Sequence, residues 1–515
     1  MEGKPRSITS TAIIITLISA LSKALGFMRE AVIASVFGVG VVTDAYAVAA
    51  RVVGTAGLLV FIYLNQIFIP TYVRAFDEGG EEGALKAANS SLWISMIGNF
   101  ALMGVLYVAA PLIVGLTNFN SEEASLALTS VNIMLLQLPL MVYVNLFTGY
   151  LAARKGFVGA NIIGIPINIV IVVSCIIFGT RSGVVGLSVA TVLGTLAQVV
   201  TAVIWLRREK FRHTFSVKLN TPEIRKDMVL LLPALLGATI FEMKSWVDTI
   251  IATYLGEGNT AAIGFALRLV TLVQGLVVLP IATMIYSYLS DYAAKNDIQG
   301  MLDILWKAVR VILFFVLPMS VIAVPHSFDI VQIVFERGEF TPDATVMTGM
   351  ALMFYVPGLL GMAVYAFLVR FFYGLKDTKT PMVSGAVAVG VNIALSIWLA
   401  NVMGIRGLAL ATTIGNAMSA LLLLVLLRRK LGPLGFFGTA LDFIKMVISA
   451  IPCVLAVFGI RYLLAGQGAI LRFGASTVVG GVAYLLTAFV LKEMVLREGI
   501  QLLKGRFVKG SVSSE

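Results

Sequence analysis

SKALGFMREAVIASVFGVGVVTDAYAVAAR, residues 22–51, has the hydrophobicity of two membrane-spanning segments joined by a short Gly-rich turn. It also carries Lys23, Arg29, Glu30, Asp44 and Arg51. An ionisable group at membrane depth costs about 2.5–3.5 kcal/mol even on the mildest scale, so such groups face internal cavities and mark function. The rest of the chain fits the membrane reading. Of its 515 residues 59% are hydrophobic and 13% are charged, with a mean hydropathy of +0.96. A soluble domain has about 25% charged residues.

Apolar runs of about 20 residues cross the hydrocarbon core. They predict fourteen spanning helices between residues 8 and 492, among them 43–75, 89–114, 126–153, 157–179, 228–255 and 345–374. The opening MEGKPRSITSTAIIITLISA has the basic flank and apolar run of a signal peptide but no small-residue cleavage site, so it reads as a retained first helix. Cys175 and Cys453 lie within apolar runs and read as buried free thiols.

The net charge of +11 is carried mostly between apolar segments. That pattern speaks for topology and contact with anionic lipid, not for nucleic acid. Alternate loops hold Lys4 and Arg6, Arg74 and Lys86, Arg154 and Lys155, the run from Arg207 to Lys226, and Arg428, Arg429 and Lys430. The tail adds Lys504, Arg506 and Lys509, while the stretch 118–123 has acids and no base. The positive-inside rule then places both termini in the cytoplasm.

An internal repeat sets the domain plan. GLSVATVLGTLAQVVTAVIWLRR (186–208) aligns without gaps on GLALATTIGNAMSALLLLVLLRR (407–429). The expected fold is an all-α polytopic membrane protein. Residues 1–220 form an N-terminal lobe of six helices, 221–432 a C-terminal lobe of six, and 433–515 two further helices with a cytoplasmic tail. Repeated lobes are a transporter plan, with the substrate site near the midplane between them.

The intramembrane charges fit that plan. Lys23 and Glu30 are seven residues apart, as are Asp44 and Arg51, which places each pair on one helix face. Gly26 interrupts helix 1 and is expected to bend it. In the second lobe lie Glu242, Lys244, Asp248, Arg268 and Arg370. One reading is a cationic cavity for an anionic substrate, because Arg grips phosphate bidentately and Lys acts as a point charge. The other is internal neutralisation, with Glu30 against Lys23, Asp44 against Arg51, and Lys244 against Asp248. Arg370 also fits a snorkelling role. Asp248 and Asp377 are candidate sites for a coupling Na⁺ or proton. No Walker motif, GxSxG, HExxH or Cys/His cluster is present, so neither catalysis nor a cofactor is expected.

LGFMREAVIASVFGVGVVTDAYAVA (25–49) resembles the signature of the MurJ/MviN family of lipid II flippases, within the larger group that includes the MATE exporters. VFERGEFTPDAT (334–345) and FYGLKDTKTP (372–381) resemble two further motifs of that family. The resemblance implies movement of undecaprenyl-pyrophosphate-linked disaccharide-pentapeptide from the inner to the outer leaflet of the bacterial cytoplasmic membrane, by alternating access, for peptidoglycan synthesis. It implies membrane lipids and other cell-wall synthesis proteins as partners, and helices 13 and 14 as the place of the polyprenyl tail. It puts the family's essential first-helix arginine at Arg29, its acidic neighbour at Glu30, an earlier basic position at Lys23, the acid of the TDA motif at Asp44 and the helix 8 arginine at Arg268. The sodium ligand of some members falls on Asp248. Where some relatives carry a basic pair in helix 2 this chain has Gly57 and Leu58, for which Arg51 compensates in part. A flippase for another polyprenyl-linked oligosaccharide would share the pyrophosphate. A cation-coupled drug exporter would concentrate acids, and a membrane glycosyltransferase would need a base carboxylate and a sizeable outer loop.

Overall fold

The computed structural model describes residues 8–63, 68–154, 156–209, 211–215, 239, 242–498 and 501. The basic residues Lys4, Arg6, Lys155, Lys210, Lys218, Arg225, Lys226, Lys504, Arg506 and Lys509, and most of 228–241, lie outside them. Among the described residues there is no strand. Among these residues nine helices are long and apolar enough to cross a membrane, or up to eleven when each bent pair counts as one span. Two compact units form, residues 1–261 with Arg337–Thr341, and 262–336 with 342–515.

The first unit holds α1 (Ile8–Phe37), α2 (Val41–Tyr63), α3 (Ile69–Val114), α4 (Ser121–Met134), α5 (Gln137–Ala153), α6 (Phe157–Ile162), α7 (Pro166–Phe178), α8 (Gly183–Arg208) and a helix at 242–254, here α9. Ala45, Ala49, Val52, Val53 and Ala56 recur at helical spacing and make one apolar stripe on α2. The stripe packs on Val131, Leu135 and Leu138, and Trp246 of α9 joins the same core. Small residues suit this, because helices in lipid associate by close backbone approach. A second core sets Tyr72, Ala88 and Leu92 of α3 against Leu146, Phe147 and Tyr150 of α5 and Leu206 of α8. The extended segment 211–215 lies over it, held where Asn89 donates to the Arg212 carbonyl and accepts the Thr214 N–H.

Several expected single helices are broken. The run 126–153 divides into α4 and α5, bent by 42°. The run 345–374 divides into α14 (Pro342–Tyr355) and α15 (Gly358–Gly374), bent by 47°. The run 157–179 divides into α6 and α7. Pro139, Pro166 and Pro357 stand at the starts of the second members, where a missing N–H is harmless. Conversely, the expected loop between 75 and 89 is helical. α3 runs through it, with a kink at Gly80.

The second unit continues α10 (Asn259–Val273) and holds α11 (Leu279–Ala294), α12 (Ile298–Ala323), α13 (Ser327–Phe335), α14, α15, α16 (Lys379–Met403), α17 (Ile405–Leu431), α18 (Phe436–Leu463) and α19 (Ala469–Val490). The repeated segments fold alike. Gly194 of α8 lies against Ile167 of α7, and its counterpart Gly415 of α17 lies against Asn392 of α16. In the same register, Gly183 and Gly404 open α8 and α17 at φ 54° and 61°. α18 and α19 pair through Gly480, which lies on Val457 and Cys453. They are tied down by Arg310 to Asp442 (2.7 Å) and by Arg472 to Asp329. Both cysteines are buried free thiols.

Candidate substrate-binding site

α1 frames the site in the first unit. It runs unbroken through Gly26, which lies against the Asn168 side chain of α7. Ser19 adds a hydrogen bond to Asn161 (3.0 Å). Near the end of this helix, Arg29 donates through Nη2 to Glu30 Oε1 at 2.5 Å, with side chains 22% and 13% exposed. Arg29 Nε is buried and meets no acceptor among the described residues. Tyr46 lies within electrostatic reach of Arg29, and its hydroxyl is fixed by Thr191 at 3.1 Å. Lys23 is exposed on the same helix and Arg51 is half-buried on α2.

Asp44 departs from the expected role. It is 2% exposed, and its two oxygens accept the N–H groups of Gly258 (2.6 Å) and Ala261 (2.7 Å). These are donors at the opening of α10, which have no partner inside their own helix. Asp44 is thus a cap supplied from α2, and its oxygens are committed to backbone. Nothing in its own stretch of sequence named that partner, which lies more than two hundred residues away.

Two of the three stretches that resemble family motifs meet in this unit, 25–49 and the 337–341 part of 334–345. The Glu339 N–H donates to the Ser35 carbonyl at 2.9 Å. Gly38 and Gly338 both adopt positive φ, 63° and 60°. A Cβ on Gly38 would run into the Glu339 carbonyl, and one on Gly338 into the Ser35 carbonyl. Only glycine permits both the conformation and the approach.

On α9, Lys244 pairs with the buried Asp248 at 2.7 Å, the neutralising arrangement anticipated for this couple. Glu242 accepts from Thr55 of α2 (3.4 Å), which in turn accepts from Trp246 (3.0 Å). Within the second unit Arg268 is exposed on α10, and Arg370 donates to its own helix at the Ala366 carbonyl (2.8 Å). Asp377 accepts the Thr380 N–H (3.0 Å) and hydroxyl (2.8 Å) and pairs with Lys430. The Lys430 ammonium and these donors hold its carboxyl down to about 2. That is the work of an acid fastening the start of α16. Among the described residues no three His, Cys, Asp or Glu side chains converge as a metal site.

Sequence reasoning passed over the Asp329, His326 and Arg472 cluster. His326 is fully buried, and its Nδ1 is hydrogen-bonded with Asp329 Oδ2 at 2.6 Å. Burial pushes the His326 imidazole below its ordinary value, Asp329 opposes that, and Arg461 and Arg472 reinforce it. A lone histidine at a helix boundary carried no signal of these partners.

The first unit therefore presents a guanidinium beside a carboxylate, with a donor that meets no acceptor among the described residues. Such a group suits an anionic, phosphate-bearing ligand. A family model described as "Lipid II flippase MurJ" matches residues 33–495. A probable lipid II flippase MurJ of Rhizobium meliloti is 27% identical over 78% of this chain and 77% of its own. One from Treponema pallidum is 23% identical over 94% of this chain and 95% of its own. Among solved structures, a lipid II flippase MurJ in an inward closed conformation shares the fold, with a TM-score of 0.79 and 22% identity over 94% of this chain and all of that one. An inward-facing multidrug resistance MATE transporter of the MOP superfamily shares it at a TM-score of 0.71 and 16% identity, over 82% and 98%. With the family model spanning nearly the whole chain, this protein belongs to the MurJ family of lipid II flippases.

Proposed function

We propose that the chain moves lipid II from the inner to the outer leaflet of the bacterial cytoplasmic membrane by alternating access, for peptidoglycan synthesis. The observation that carries the site assignment is Arg29, whose buried Nε–H has no acceptor among the described residues while Nη2 is held by Glu30. A buried donor left unpaired costs about 1–3 kcal/mol, more when charged. A pyrophosphate oxygen would supply the missing acceptor. Lys23 and Arg51 add positive charge for the same head group, Arg268 is a candidate anion contact within the second unit, and Asp44 acts through the backbone it caps. Fourteen helices span the membrane with both termini in the cytoplasm. A Na⁺ or proton at Asp248, or the membrane potential alone, resets the carrier, and α18 and α19 hold the polyprenyl tail. Other cell-wall synthesis proteins work alongside it.

Depletion in the native host tests this, with the accumulating lipid-linked precursor identified by mass spectrometry. Lipid II is expected; another polyprenyl-linked glycan would overturn the substrate. Arg29→Ala is expected to abolish complementation while the protein stays folded in the membrane. Arg29→Lys, which keeps the charge and loses the fork, should recover little. Full complementation by Arg29→Ala would remove Arg29 from the site.

A further inference from the structure

After α19 the chain turns through Glu493 into a short helix at 494–498. Glu493 is 1% exposed. Its Oε2 accepts the Leu496 N–H at 3.0 Å, capping that turn. Its Oε1 is buried and meets no donor among the described residues. Val495 and Leu496 pack on the cluster of Phe314, Met446, Cys453, Tyr484 and Ala488 that joins α12, α18 and α19. Beside it, Arg310 of α12, itself buried, donates to Asp442 of α18 at 2.7 Å and contacts Met494 Sδ at 2.9 Å.

Among the described residues this junction brings together one guanidinium and two carboxylates. Arg310 and Asp442 balance each other. An ionised Glu493 would then leave an uncompensated negative charge in an apolar junction, which proteins avoid. Tyr484 of α19, within electrostatic reach of Glu493, and Cys453 of α18, near Tyr484, face the same junction and bring no positive charge. Lys307 of α12 lies against the exposed Glu498 at 3.9 Å.

We propose that this junction is a proton-binding site in which Glu493 is held as the neutral acid, and that its ionisation loosens the α18–α19 pair from α12. As the acid, Oε2 stays an acceptor for Leu496 and Oε1 becomes a donor. The electrostatics run the same way. Burial pushes the Glu493 carboxyl above its usual value, the Leu496 and Val495 N–H groups oppose this, Asp442 adds to the rise and Arg310 opposes it.

For an acid raised on folding, the native state binds the extra proton. Stability then falls as pH climbs from the ordinary glutamate value through the raised one. The test is thermal unfolding of the purified full-length protein in detergent, from about pH 5 to about pH 9, with sodium or potassium as the only salt. The wild type should lose melting temperature as pH rises, and Glu493→Gln, isosteric with the neutral acid, should flatten that slope. Parallel slopes would overturn the proposal. So would a Glu493→Gln protein that does not fold. Sodium-specific stabilisation at high pH that disappears in Glu493→Gln would assign the junction to a metal cation and overturn the proton.

Discussion

Arg29 and Asp44 sit on consecutive helices and are both ionisable, yet they do opposite things. Arg29 keeps a buried donor unused. Asp44 spends both oxygens on the backbone of Gly258 and Ala261. Residue type and depth alone do not separate these roles; the partners do. Asp44→Asn offers one acceptor where two are used, and turns an NH₂ group toward a backbone N–H. The loss is expected to be about 1–3 kcal/mol, read as a lower melting temperature, with Asp44→Ala at least as severe. An unchanged melting temperature in Asp44→Asn would refute the cap. Asp377 makes a case for pH. Its folded value of about 2 lies below the ordinary 3.8. Its contribution is therefore fully present above the ordinary value and disappears as pH falls toward 2. The melting temperatures of wild type and Asp377→Asn should differ near neutrality and converge in acid, with high salt shrinking the difference because the Lys430 pair is half open to water. A difference that persists in acid would mean that the carboxylate charge is not what α16 uses.

At the scale of elements, the connection of α1 to the segment 337–341 shows what glycine placement does. Ser35 and Glu339 share a backbone hydrogen bond, and Gly38 and Gly338 close the approach from both sides. Gly338→Ala forces a side chain into φ 60°, costing about 1–2 kcal/mol from conformation alone, and adds a clash with the Ser35 carbonyl. The variant should melt earlier and should expose 337–341 to protease; protection equal to wild type would show that the clasp yields without cost. The VFERGEF run was legible as a motif, but its contact was not, because no local pattern encodes which distant carbonyl a glycine must clear. Helix breaks were another matter. Pro139, Pro166 and Pro357 announced the divisions at α5, α7 and α15, and the apolar continuity of the runs hid them. Gly80 shows the reverse error, since a polar, Gly-bearing stretch that read as a loop is a kinked continuation of α3.

At the scale of the whole molecule, composition and the ungapped match of 186–208 with 407–429 were enough for the helical membrane class and for the pairing of α8 with α17 as counterparts. They did not give the compact units. Residues 242–261 pack with the first unit past the repeat boundary, because Trp246 enters the α2 core and Glu242 meets Thr55. Orientation is a different kind of property, set by where the bases lie relative to the spans. Arg207 and Arg208 occupy the last turn of α8, and Arg428, Arg429 and Lys430 that of α17. Lys86 lies with Glu81 and Glu82 in the polar part of α3, whereas the α3–α4 turn carries Glu122 and Glu123 and no base. By the positive-inside rule the excess of Lys and Arg on one set of turns is expected on the cytoplasmic side. This sidedness can be read directly, since Cys175 and Cys453 are buried and should be shielded from an impermeant maleimide. Ser121→Cys in the acidic turn should label on cells with an intact cytoplasmic membrane. Glu82→Cys, at a side chain 80% exposed, should label only after permeabilisation. The opposite pattern would invert the topology and place the α8 and α17 basic ends outside, against the charge rule on which the assignment stands.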